Sequence, residues 1–119
     1  KAANTPDQRY LKRIEIRSLQ RTDYIAVDDV YWLESDSNYI EVHLQQQSHV
    51  ARMTLADLED HLDPQQFVRI SRSAIINTNR VRSIQPQGRR GHEVILENGK
   101  TIPITRSLDA LQERIKFNR

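Results

Sequence analysis

Cysteine is absent from this 119-residue chain, which removes disulfide scaffolds, thiolate metal sites and cysteine nucleophiles together. Glycine occurs 3 times, too rarely for a glycine-rich phosphate loop, and Ser71 and Ser73 lack the Gly-x-Ser-x-Gly setting of a nucleophile turn. The four histidines, His43, His49, His61 and His92, show no compact ligand spacing. No enzyme activity, metal or small-molecule cofactor is therefore expected. Aromatic residues make up 6% of the chain, few for the stacking platform of a single-stranded nucleic-acid binder. No apolar run approaches the roughly 18 residues of a membrane-spanning helix, so no membrane segment or signal peptide is expected here. A cytoplasmic setting agrees with all of these absences.

What is present is unevenly placed. The formal net charge is only +2, yet residues 1–68 hold 7 Lys and Arg against 12 Asp and Glu, and residues 69–119 hold 11 against 4. The basic half either meets phosphates, releasing their counterions, or is solvated and paired with the acidic half. Of the 18 basic residues 14 are arginine, with lysine only at Lys1, Lys12, Lys100 and Lys116. That bias favours recognition, because the guanidinium fork pairs bidentately with guanine edges and phosphates.

Residues 1–9 (KAANTPDQR) are polar, aperiodic and contain Pro6, which suits a linker remnant ahead of one domain over residues 10–119. The chain starts at Lys1 rather than at a methionine, and a receiver domain, a sensor or a membrane anchor is expected upstream. From there, period-two alternation dominates. Ile14 and Ile16 alternate with charged residues, and further strands are expected at residues 24–27, 30–33, 39–44 and 50–53. In TLADLEDHL the period changes: Leu55, Leu58 and Leu62 mark a short amphipathic helix capped by Thr54 and stopped by Pro64. Its acidic face, Asp57, Glu59 and Asp60, is expected to be solvated.

Strand patterns resume at 67–70, 74–76, 81–84, 94–96 and 101–104, with a two-residue Asn98-Gly99 hairpin turn between the last two. Pro86 to Gly91 reads as another turn, with Arg89 and Arg90 at its tip. Leu108, Leu111 and Ile115 make a terminal helix capped by Ser107. The expected fold class is mainly β with two short helices.

Three runs carry a more specific signal: ESDSNYIEVHL at 34–44, FVRISRSAIINTNRVRSI at 67–84 and NGKTIPITRSL at 98–108. In this order they resemble the LytTR-type DNA-binding domain of bacterial transcription regulators, including two-component response regulators. That family carries the patterns E-x-x-x-N-Y, F-x-R-x-H-R-S-x-x-V-N and G-x-x-I-P-V-S-R. The resemblance covers residues 24–115 and implies an elongated stack of small antiparallel β-sheets. It also implies loops, rather than a helix, inserted into successive major grooves of double-stranded promoter DNA, with two copies on direct repeats.

Residue by residue, Arg72 and Arg106 match the motif arginines. Asn38 and Tyr39 match the Asn-Tyr pair, Ser71 stands where the family often has histidine, and Thr105 replaces a serine. Ser73 completes the second motif. Read from the residues alone, Arg72 at a strand end between Ser71 and Ser73 suits an ordinary surface ion pair before an outward reach. Arg106, ahead of the final helix, sits either in an anion-friendly position or as a solvent arginine in a capping region. Asn38 suits adenine but is also a common turn residue, and Tyr39 reads as a strand or core position. Asn77 reads as structural, tying down the Thr78-Asn79 turn. Arg69, Arg80, Arg82, Arg89 and Arg90 are candidate phosphate contacts, with Arg69 also placed to be paired inside the protein. The competing reading of the whole is a β-rich protein-interaction module whose basic half meets an acidic partner.

Overall fold

The structure is a computed structural model and describes residues 9–117; most of the linker at residues 1–9 lies outside them. Ten strands and two helices follow one another along the described chain. β1 (Arg13–Arg17) and β2 (Thr22–Ala26) form a two-stranded ribbon. β3 (Trp32–Asp36), β4 (Tyr39–His43), β5 (Ser48–Ala51), β6 (Phe67–Ser71) and β7 (Ala74–Asn77) form a sheet in the order β5-β4-β3-β7-β6. β8 (Val81–Gln87), β9 (Gly91–Leu96) and β10 (Thr101–Ile104) form a third sheet. All pairings are antiparallel. The helices are α1 (Leu55–His61) and α2 (Leu108–Phe117).

The five-stranded sheet is the middle layer, because successive side chains of a strand point to opposite faces. One face sends Leu33, Ile40, Val42, Phe67 and Ile75 against Ile14 and Ile16 of the ribbon and Leu55 and Leu58 of α1. The other sends Trp32, Val68, Ile70 and Ile76 against Val94, Leu96, Ile102 and Ile104 of the third sheet and Leu111 of α2. Burying one such aliphatic side chain stabilises by about 1.5–3 kcal/mol. The layering explains two sequence patterns that otherwise look unrelated. β7 is covered on both faces and is buried at every position, whereas β4 is covered on one face and alternates.

Several local expectations hold: the Thr54 hydroxyl accepts from the Asp57 amide at 3.1 Å and caps α1. The Asn77 amide is buried, donates to the Val30 carbonyl at 2.8 Å and accepts from the Asn79 amide at 3.0 Å. Others are corrected. The polar SDSN segment at 35–38, a loop by its sequence between the strands expected at 30–33 and 39–44, is not all loop, because β3 runs on to Asp36 and only Ser37 and Asn38 form the turn. Glu34 can stay in the strand because its side chain, on the same face as Trp32, is only partly covered there and meets His43 at 3.0 Å. The turn at 86–91 is likewise tighter. The ladder continues through Pro86, which pairs with His92 from an edge strand where its missing N–H costs no bond.

The β9–β10 turn is longer than two residues. The Leu96 amide reaches the Lys100 carbonyl, and Gly99 takes a φ of 91°, a left-handed conformation open to glycine. Ser107 is not a side-chain cap. Its backbone has a φ of 66°, and its carbonyl, not its hydroxyl, starts α2 by accepting from Leu111.

Candidate nucleic-acid interface

Two tight turns of the middle sheet lie side by side. β3 reverses into β4 at Ser37 and Asn38, and β6 into β7 at Arg72 and Ser73. Because β3 pairs with β7 with Glu34 opposite Ala74, both turns fall at the same end of the sheet. The Ser35 amide donates to the Ser73 carbonyl at 2.9 Å and ties one turn to the other.

A third segment is docked there by an irregularity. The β6–β7 register shifts between Arg69 and Ser71, which takes the carbonyl of Ile70 out of the ladder, as a bulge does. That buried carbonyl instead accepts from the Thr105 amide at 2.9 Å and the Arg106 amide at 3.1 Å, with the Thr105 hydroxyl at 3.5 Å. The exit of β10 is thereby fixed against the Arg72 turn. In the third sheet His92 pairs with Ile104, so the β8–β9 turn carrying Arg89 and Arg90 lies at this same end of its own sheet. One end of the domain thus gathers residues that are 68 positions apart in sequence, from Asn38 to Arg106.

The candidates divide by what their side chains already do. Arg72, Arg89, Arg90 and Asn38 are exposed, and none has a side-chain partner among the described residues. Arg106 is exposed and lends only Nη2 to the Ser71 carbonyl at 3.3 Å. Ser71 is half-buried, its hydroxyl accepting from the Ser73 amide at 3.2 Å, while Ser73 and Thr105 are exposed. Arg69 is the exception. Its Nε donates to the Ser71 carbonyl at 3.3 Å, its Nη2 to the Arg72 carbonyl at 2.6 Å and its Nη1 to Glu59 at 3.1 Å. Of its two readings from sequence, the structure shows the paired one, and Glu59 is correspondingly engaged rather than simply solvated.

Tyr39 is not a core residue, being 41% exposed. Its hydroxyl accepts from Nη2 of Arg52 at 3.2 Å, and that guanidinium lies 5.5 Å from its ring centroid. The Tyr39 hydroxyl raises the Arg52 pKa above its ordinary value. Sequence reasoning missed Arg52, which no motif marks. The nearest signal is its place two residues before the Thr54 cap.

The fold also gathers ligand-type side chains that sequence spacing kept apart. His43 Nε2 lies 3.0 Å from Glu34 and 3.9 Å from Glu41, its ring stacked on Trp32 at 4.3 Å. Glu34 and Glu41 face each other directly across β3 and β4, a like-charge pairing that the imidazole offsets when protonated.

A stack of small antiparallel sheets that presents loop-borne arginines, an amide and hydroxyls at one end offers a surface of hydrogen-bond donors and positive charge. The comparisons give this architecture a family. The chain matches the family model of the LytTr DNA-binding domain over residues 20–116, and it belongs to that family, one of DNA-binding domains rather than enzymes. It is similar to the sensory transduction protein LytT of Enterococcus faecalis, with 30% identity over 94 residues, 79% of this chain and 39% of that protein. It is equally similar to the CO-responsive transcriptional regulator RcoM of Rhodospirillum rubrum, with 30% identity over 100 residues, 82% of this chain and 42% of that protein. The chain therefore spans about two-fifths of the length of these relatives. A solved LytTr DNA-binding domain from Bacillus cereus shares the fold, with a TM-score of 0.76 and 19% identity over 90% of this chain and 98% of that one. Among the described residues no helix is long and apolar enough to cross a membrane.

Proposed function

We propose that this domain is the DNA-binding output module of a bacterial transcription regulator of the response-regulator type, working in the cytoplasm behind a receiver or sensor domain. The convergence of Asn38, Arg72 and Arg106 at one end of the stack carries this reading. They sit on three loops held together by the Ser35–Ser73 and Ile70–Thr105 backbone bonds. Arg72 and Arg106 keep free N–H groups for the O6 and N7 acceptors of guanine, and the Asn38 carboxamide suits the N6 and N7 edge of adenine. Ser71, Ser73, Thr105, Arg89 and Arg90 then serve phosphates, which fix register without reading sequence. Arg69 positions the Arg72 loop from behind instead of touching DNA.

Loops of this size would enter successive major grooves on one side of promoter DNA, and two copies would occupy a direct repeat. Selection from random duplexes, followed by footprinting on the winning sequence, tests this. A shared motif repeated at a spacing near a helical turn or its multiple is the expected result. Binding without sequence preference would return the domain to the protein-interaction reading.

A further inference from the structure

Resting on the DNA-binding reading above, we infer that Arg52, held in place by Tyr39, is a phosphate clamp extending the interface one strand beyond Asn38. Ile40 pairs with Ala51 in the β4–β5 ladder, so the next step along each chain brings Tyr39 and Arg52 together at the end of the sheet that carries the Ser37-Asn38 turn. Arg52 is exposed. Five other arginines, Arg17, Arg21, Arg69, Arg80 and Arg114, each lie within 3.5 Å of a carboxylate. Arg52 has no such partner among the described residues, and its one contact is a neutral phenol. The carboxylate in the adjoining depression, a space of about 540 Å³, is Glu15, already 3.2 Å from Arg17. The positive charge of Arg52 is thus held in position without being neutralised.

The chemistry of the pair suits a phosphate. The guanidinium has five N–H donors and gives one to the Tyr39 oxygen, leaving a planar fork for two anionic oxygens. The phenol accepts that bond and keeps its own O–H to donate. Stacking over the ring and the hydrogen bond restrict the arginine before any partner arrives, so less freedom is lost on binding. One phosphate can then take donors from both side chains.

The test compares the wild type with Arg52→Ala, Arg52→Lys and Tyr39→Phe, reading affinity for a selected duplex across a salt series together with thermal midpoints. Arg52→Ala should weaken binding about 5–10-fold for every sequence alike and reduce the log–log salt slope by about 0.9, with an unchanged midpoint. Arg52→Lys should keep the slope but recover only part of the affinity, and Tyr39→Phe should weaken binding a few-fold at constant slope. An Arg52→Ala protein with wild-type affinity and slope would overturn the clamp while leaving the DNA-binding reading standing. Loss of preference at particular base pairs would also overturn it, by making Arg52 a reader. If the wild type itself bound DNA without salt dependence or preference, both readings would fall.

Discussion

Arg69 and Glu59 lie 3.1 Å apart, and the arginine so held donates to the carbonyls of both Ser71 and Arg72. A side chain on β6 anchored to α1 thus sets the path of the loop whose own arginine is free. Exposed ion pairs contribute about 0–1 kcal/mol to stability, so the value of this one lies in the loop it shapes.

That geometry makes the effect of Glu59→Lys counterintuitive. Added positive charge should strengthen binding to DNA if only long-range electrostatics mattered. A lysine against Arg69 should instead displace it from the loop and weaken binding to the selected site, with non-specific binding unchanged or stronger. Titration of both duplexes checks this. Tighter specific binding would show that the strut does not position Arg72.

Asp57→Lys supplies the control on the same helix. Asp57 makes no ion pair among the described residues, and only its backbone amide meets the Thr54 cap. Reversal at the start of α1 should cost about 0.3–1 kcal/mol of stability through the helix dipole and leave sequence preference intact. Denaturant melts and a binding selection would report the two effects separately.

Reading and clamping should separate by mutation. Arg72→Ala and Arg106→Ala should each cost about 1–3 kcal/mol and relax preference at particular base pairs, whereas Arg89→Ala should weaken all sequences alike by less. Single-base variants of the selected site provide the measurement. Equal losses on every variant would make Arg72 and Arg106 phosphate clamps.

Asn77 tests the fold rather than the interface. Replacing it with Leu would leave the buried Val30 carbonyl without its partner and release the Asn79 amide at a part-buried site. Stability should fall by about 1–3 kcal/mol for the buried group stranded, visible as a lower denaturant midpoint.

Much of the fold was legible in the chain because local rules govern it. Alternation gave the strands, the i, i+3, i+7 leucines and Thr54 gave α1, and the Asn77 turn followed from its side chain's short reach. Three ordered motifs were enough to mark the family and its candidate residues. The errors fell where tertiary cover decides the outcome. Ser35 and Asp36 look like loop residues until the pairing of β3 with β4 draws them into a strand whose last side chain is exposed, and Pro86 is tolerated in β8 because that strand is an edge.

Sequence by itself determined which elements form and which arginines are candidates, since period, capping and turn chemistry act between near neighbours. Only the tertiary structure decided which arginines are free. Arg69 and Arg72 are three residues apart and chemically identical, yet one is spent on Glu59 and two loop carbonyls while the other is exposed with no side-chain partner among the described residues. Arg52 acquired its role from Tyr39, 13 residues away across a ladder. The Arg106 loop joined the site only because a register shift freed the Ile70 carbonyl. Hydrogen bonds and charge pairs act within a few ångströms, so what a guanidinium can still offer depends on neighbours that only the folded chain brings near.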